Sequence, residues 1–184
     1  SKPQEIEFNI HQASAIENIK EALSEKEVAL LHGVTSSGMT EIYILLIQEE
    51  LNKGKQVLYL LPEIALTTQI INRLRRYFGK RVGIYHSRYN ERERVEIWNK
   101  VNNDDPDNSY DIILGARSAV FLPYSRLGLV IVDEEHDQSY KQFDPAPRYQ
   151  ARDSAIFLAG MHKAKTLLGT ATTSFEIYFN SRSG

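Results

Sequence analysis

The stretch VALLHGVTSSGMTEIY (residues 28–43) constrains the fold most. An apolar run over 28–31 enters a turn of small residues bounded by Gly33 and Gly38, and after Thr40 apolar residues recur at helical spacing (Ile42, Leu45, Leu46). A strand, a tight turn and a helix start present inward-facing N–H groups and the positive end of a helix dipole, which suits the phosphates of a nucleoside triphosphate. From Gly33 to Thr40 the spacing matches G-x-x-x-x-G-K-[ST] at every fixed position but the lysine, where Met39 stands. On these residues alone an ordinary strand-to-helix connection is an equally good reading, so the rest of the chain decides. The pattern predicts that Thr40 opens the helix.

With 184 residues the chain can bury one sizeable core, and we expect a linker over 1–7 followed by a single unit over 8–184. The formal net charge is −2, so contact with nucleic acid requires a local basic patch and not a globally basic surface. There is no cysteine, hence no disulfide framework and no cysteine-type zinc site, a composition that fits the cytoplasm. No apolar run is long enough to span a bilayer and no signal-peptide pattern is present; the expectation is a soluble protein without a membrane partner.

Read in order, residues 8–23 carry Ala15, Ile16, Ile19, Ala22 and Leu23 on one helical face, with Gln12 at the start of that helix. Its amide can both donate and accept, as an adenine edge requires, although a solvated helix-start glutamine is the commoner reading. Residues 56–61 (QVLYLL) read as a buried strand ended by Pro62. Leu66, Ile70, Ile71, Leu74, Tyr77 and Phe78 then recur at helical spacing, with Arg73, Arg75 and Arg76 mostly off the stripe. A short strand is expected over 81–85. A helix over 90–101 should be capped by Asn90 with Glu93 and should bury Val95, Trp98 and Val101. An acidic turn-rich loop (102–109) precedes strands at 111–115 and 127–132. Residues 137–149 form a polar, aromatic loop, 152–161 a helix and 164–168 a last strand followed by GTAT; another helix is expected from 174.

Strands alternating with helices predict an α/β fold with a mainly parallel sheet and helices on both faces. Ligands bind such sheets at the carboxyl ends of the strands. Gly33, Pro62, Gly115, Asp133 and Gly169 all fall at expected strand ends and should share one rim. The strongest apolar run, LGLVIV, stops abruptly at Asp133 and Glu134. Paired acids beside a core are costly unless a cation sits there. Next to a phosphate loop, Thr40 and Asp133 are the expected Mg²⁺ ligands, and Glu134 is the group that orients or deprotonates the attacking water.

Gln12, GVTSSGMT, LLPEIALTTQ (60–69), GARSAVF (115–121), DEEH (133–136) and GTAT (169–172) occur in the order of superfamily 2 helicase motifs. Together with His86-Ser87, VDEEHDQSYKQ and PRYQAR, they make nearly the whole chain, from about Phe8 on, resemble the bacterial replication-restart helicases of the PriA (primosomal protein N′) family. Only the first RecA-like motor lobe of that family is resembled; nothing here is similar to its amino-terminal DNA-binding region, winged helix, zinc region or second lobe. The resemblance implies a RecA-like P-loop domain that couples ATP hydrolysis, with Mg²⁺, to 3′→5′ movement on single-stranded and forked DNA during replication restart. It also implies single-stranded-DNA-binding protein and primosome proteins as partners. It assigns adenine recognition to Gln12 and nucleotide binding to Gly33, Thr35, Ser36, Ser37, Gly38, Met39, Thr40 and Glu41. Pro62, Glu63, Thr67, Arg117 and Ser118 would lie towards single-stranded DNA, and Thr170 and Thr172 would link nucleotide state to DNA contacts. Tyr140, Lys141, Phe143, Arg148 and Tyr149 fall in what resembles the family's aromatic loop, where rings beside basic groups suit stacking on a single strand.

Met39 departs from that pattern. A lysine there supplies positive charge to the β/γ-phosphates, and a thioether does not. Weak or absent hydrolysis is therefore expected, reinforced by the lack of an opposite lobe to deliver an arginine. Two other readings compete. A small P-loop kinase has no use for GTAT, the Arg-Ser motif or the aromatic loop. A catalytically silent DNA- or protein-binding module is favoured by Met39 and opposed by the intact Thr40, Asp133 and Glu134.

Overall fold

The computed structural model describes residues 5–105, 107–133 and 151–170. Six parallel strands form one sheet in the order β1-β6-β5-β2-β4-β3: β1 (Val28–His32), β2 (Gln56–Leu60), β3 (Val82–Tyr85), β4 (Ile112–Gly115), β5 (Leu127–Asp133) and β6 (Lys165–Thr170). The helices are α1 (Ile10–Glu25), α2 (Ser36–Asn52), α3 (Thr68–Phe78), α4 (Glu91–Val101) and α5 (Ala151–Met161). None of the helices described is long and apolar enough to cross a membrane.

The two faces of the sheet follow from strand alternation. On β2, Val57 and Tyr59 face a core built from α1, α2 and α3, with Ile16, Ile19, Ile42, Ile47, Leu74 and Phe78. Leu58 and Leu60 face the opposite core, where Ile97 and Val101 of α4 meet Ala155 and Ala159 of α5. Every residue of β2 is buried, as a strand covered on both faces must be. Each fully buried aliphatic side chain contributes about 1.5–3 kcal/mol, so these layers hold the strand ends in place for whatever binds there.

The cap expected at Asn90 is present, and a second one, not read from the sequence, stands at Asn9. Asn9 accepts from Gln12 N while Gln12 reaches back to Asn9 N, a reciprocal capping box at α1. Asn90 accepts from Glu93 N at α4.

Several expectations are corrected. The α2 helix begins at Ser36, not Thr40, because Thr35 caps it by accepting from Gly38 N. The expected face of α4 holds only at Val101: Val95 and Trp98 are 59% and 48% exposed, and Ile97 is buried beside Val101 in their place. Those two residues lie four apart on the stripe that meets the sheet. In the segment expected to be a linker, Ile6 packs on the α1–α3 core, as does Phe8 beyond it. Residues 63–65 form a 3₁₀ turn before α3, so the helix expected from Leu66 starts at Thr68.

Candidate nucleotide site

Strand register builds the rim. His32 pairs with Thr170, Gly169 with Asp133, and Val132 with Leu60, which also pairs with Gly115. The ends of the sheet's strands are thus level, and the chain leaves β1 into α2 at this edge. Gly33 takes φ +83°, a left-handed turn open to glycine without strain, and the helix follows at once. Thr35, Ser36 and Ser37 are exposed at the first turn of α2, whose leading N–H groups have no intrahelical acceptor. Gly38 is buried under them, and a Cβ there would lie 2.8 Å from Val34 Cγ1 and 3.3 Å from Gln12 Nε2. The turn is therefore tight as well as small-residued.

Gln12 is buried at 4% exposure, which overturns the solvated reading of that residue. Its Nε2 donates to Gly38 O at 3.2 Å and to Glu41 Oε2 at 2.6 Å, while its Oε1 accepts from Asn9 N at 3.0 Å. Glu41 continues the network to Arg73 of α3, with Oε1 3.7 Å from the guanidinium. Gln12 and Glu41 therefore brace the loop from beneath; pairing with adenine requires Gln12 to exchange these bonds.

Asp133 ends β5, half-buried, and accepts from the Tyr43 hydroxyl at 3.0 Å. The Thr40 hydroxyl, 8% exposed, donates to Ser36 O at 3.1 Å, back along its own helix and not to Asp133. Met39 is 1% exposed and turned towards β6, where a Cβ on Gly169 would come within 2.7 Å of its Cε. The Thr170 hydroxyl is buried without a partner among the described residues.

The residues expected along a DNA path sit at the ends of β2 and β4. Pro62 is buried, Glu63 and Thr67 are exposed, and Arg117 and Ser118 are half-buried in the 3₁₀ turn after β4. Thr67 caps α3, and Glu63 accepts from Ser87 Oγ at 2.9 Å. Beside them a cleft of about 460 Å³ is lined by Glu63, Ile71, Arg75, His86, Arg88 and Tyr89 among others, with the His86 and Tyr89 rings stacked at 4.1 Å. Burial, reinforced by Glu93, raises the Tyr89 phenol above its ordinary value. Tyr89 is not among the residues expected from the sequence; its place two residues past the His86-Ser87 pair is the available signal. Glu134, Tyr140, Lys141, Phe143, Arg148, Tyr149 and Thr172 lie outside the described residues.

The donor set fits magnesium nucleotide in kind. Magnesium takes one or two protein oxygens and completes its shell with water and phosphate, as one carboxylate and one hydroxyl allow. Among the described residues there is no cluster of three or more His, Cys, Asp or Glu suited to a metal ion. The misfit is Met39, which brings no charge to the phosphates.

Comparison with known proteins follows the same line. Residues 9–178 match the DEAD/DEAH box helicase family. The chain is 41% identical over 185 residues to the replication restart protein PriA of Bacillus subtilis, covering 100% of this chain and 22% of that protein. It is 47% identical over 155 residues to PriA of Rickettsia felis, covering 84% of this chain and 23% of that protein, and 45% identical over 157 residues to PriA of Haemophilus influenzae (85% and 21%). The chain thus spans under a quarter of the length of these relatives. Among solved structures, the DUF1998 helicase MrfA superposes with a TM-score of 0.57 at 16% identity, over 96% of this chain and 28% of that one, a likeness of fold. A P-loop-type turn, an acid at the rim end of β5 and a family match over most of the sequence agree: this chain belongs to the DEAD/DEAH box helicases.

Proposed function

We propose that the chain is the ATP-binding lobe of an ATP-dependent DNA helicase acting 3′→5′ in replication restart, and that Met39 leaves it deficient in hydrolysis. The observation that carries the reading is the hydrogen bond by which Tyr43, on the helix that the phosphate turn opens, reaches Asp133 at the level end of the sheet. Ser36 and Ser37 hold phosphate through backbone N–H groups, joined by Gly38 once its N–H leaves Thr35 Oγ1, and Gln12 orients the loop and reads the base. Asp133 and Thr40 hold Mg²⁺, which when bound neutralises charge building on the phosphates. Glu134 is assigned the water. Glu63, Thr67, Arg117 and Ser118 face the single strand, with Thr170 and Thr172 relaying nucleotide state. A second lobe, single-stranded-DNA-binding protein and primosome proteins complete the assembly in this reading, which is cytoplasmic.

The test is thermal unfolding of this chain and of Met39→Lys, with ATP and Mg²⁺, ATP and EDTA, or neither. Stabilisation by nucleotide that needs Mg²⁺ and grows in Met39→Lys is expected; no stabilisation of either form overturns the reading. Titration of single-stranded DNA at low and moderate salt tests the strand surface, because phosphate contacts make affinity steeply salt-dependent.

A further inference from the structure

We infer that Tyr43 is a positioning residue for the Asp133 carboxylate, and that Gly169 is glycine because the Tyr43 hydroxyl needs its place. The inference rests on the magnesium-nucleotide reading above and adds to it the parts that aim the metal-side acid.

Tyr43 lies on the helix that the phosphate turn opens, three residues past Thr40. Its side chain is fully buried, and the ring meets Tyr59 of β2 edge-on, with centroids 5.3 Å apart and planes at 81°. A ring wedged this way has one accessible orientation, and from it the hydroxyl reaches the rim and donates to Asp133 Oδ1 at 3.0 Å. A carboxylate with one oxygen tied to a fixed phenol is held in one rotamer, as the outer-shell partners of metal ligands commonly achieve.

The space for that hydroxyl comes from β6. Gly169 pairs with Asp133 across the β5–β6 ladder. A Cβ at 169 would overlap the Tyr43 hydroxyl, and it would lie 3.0 Å from Tyr43 Cζ and 2.7 Å from Met39 Cε. The φ of Gly169 is not left-handed, so backbone freedom does not explain the glycine; the close approach does. One phenol therefore joins the phosphate-loop helix, the acid strand and the strand leading to GTAT. A displacement of β6 at Gly169 is bound to move the Tyr43 hydroxyl, and with it the Asp133 rotamer.

The test uses Tyr43→Phe, which removes the hydroxyl and keeps the ring. Binding of a fluorescent methylanthraniloyl-ADP to this chain is titrated in Mg²⁺ and in EDTA. The expected result is about a tenfold loss of affinity in Mg²⁺ with the EDTA affinity unchanged, the magnitude seen for outer-shell partners of metal ligands. An equal loss in both conditions, or none, overturns the positioning role while leaving the nucleotide reading intact. A parent chain that binds no better in Mg²⁺ than in EDTA overturns the magnesium reading itself and this inference with it. Gly169→Ala supplies a readout without nucleotide: it should lower the unfolding midpoint of the parent more than that of Tyr43→Phe. Equal losses in the two backgrounds would show that the glycine does not serve the hydroxyl.

Discussion

The side-chain nitrogen of Gln12 lies 3.2 Å from the carbonyl oxygen of Gly38, which pins the first turn of α1 to the first turn of α2 across 26 residues of sequence. The bond is buried, and the same nitrogen also serves Glu41. Gln12→Ala leaves the Gly38 carbonyl without its side-chain donor and should destabilise the chain by about 1–3 kcal/mol. Gln12→Glu should be worse, because it sets a carboxylate against that carbonyl and against Glu41. Urea unfolding midpoints at constant slope check both, and nucleotide affinity should fall in parallel if the brace shapes the loop.

Met39 fills a space between α2 and Gly169 with an uncharged side chain. Met39→Lys should increase the stabilisation given by ATP and Mg²⁺; a ligand at a hundredfold excess over its dissociation constant adds about 2.7 kcal/mol. Placed in a protein with both motor lobes, the same substitution should bring back DNA-dependent hydrolysis, measured as phosphate release. Hydrolysis that stays absent there would locate the defect away from residue 39.

Asp111 holds together the opposite end of the sheet. Its carboxylate meets Arg81 Nε at 2.7 Å and Arg126 Nη2 at 2.8 Å, and Ser109 donates to it at 3.3 Å. The acid is buried but the arginines are 43% and 28% exposed, so solvent shares the loss when the acid goes. Asp111→Ala should cost about 1–3 kcal/mol by urea unfolding, below the value for a fully buried pair, and should leave nucleotide affinity unchanged.

Tyr124 is buried and donates to Ala119 O at 2.6 Å. Burial pushes its phenol well above the ordinary 10.0, with Tyr85 adding to the shift. A raised folded-state value means the folded chain keeps a proton that the unfolded chain releases above pH 10. Stability from this group is therefore complete below pH 10 and declines as pH rises beyond it, by about 1.4 kcal/mol per unit. Tyr124→Phe should flatten that alkaline decline while losing the Ala119 bond at neutral pH, measured by unfolding midpoints from pH 8 to 11.

Much of this fold is legible in the linear chain because its signals are local. The continuous apolar run over 56–61 announces a strand buried on both faces, and Asn90 with Glu93 caps a helix through a contact three residues long. The glycines at 33 and 38 and the acid closing LGLVIV mark the same rim that the strand register levels. Tertiary packing decided the rest. Which residues of α4 turn inward beside Val101, Ile97 and not Val95 or Trp98, depends on the sheet it meets. The burial of Met39 and the strand order β1-β6-β5-β2-β4-β3 likewise depend on partners far along the chain. Periodicity states which residues avoid water. It takes contacts between distant segments, such as Tyr43 on Asp133 beneath a side-chain-free Gly169, to state what each of them touches.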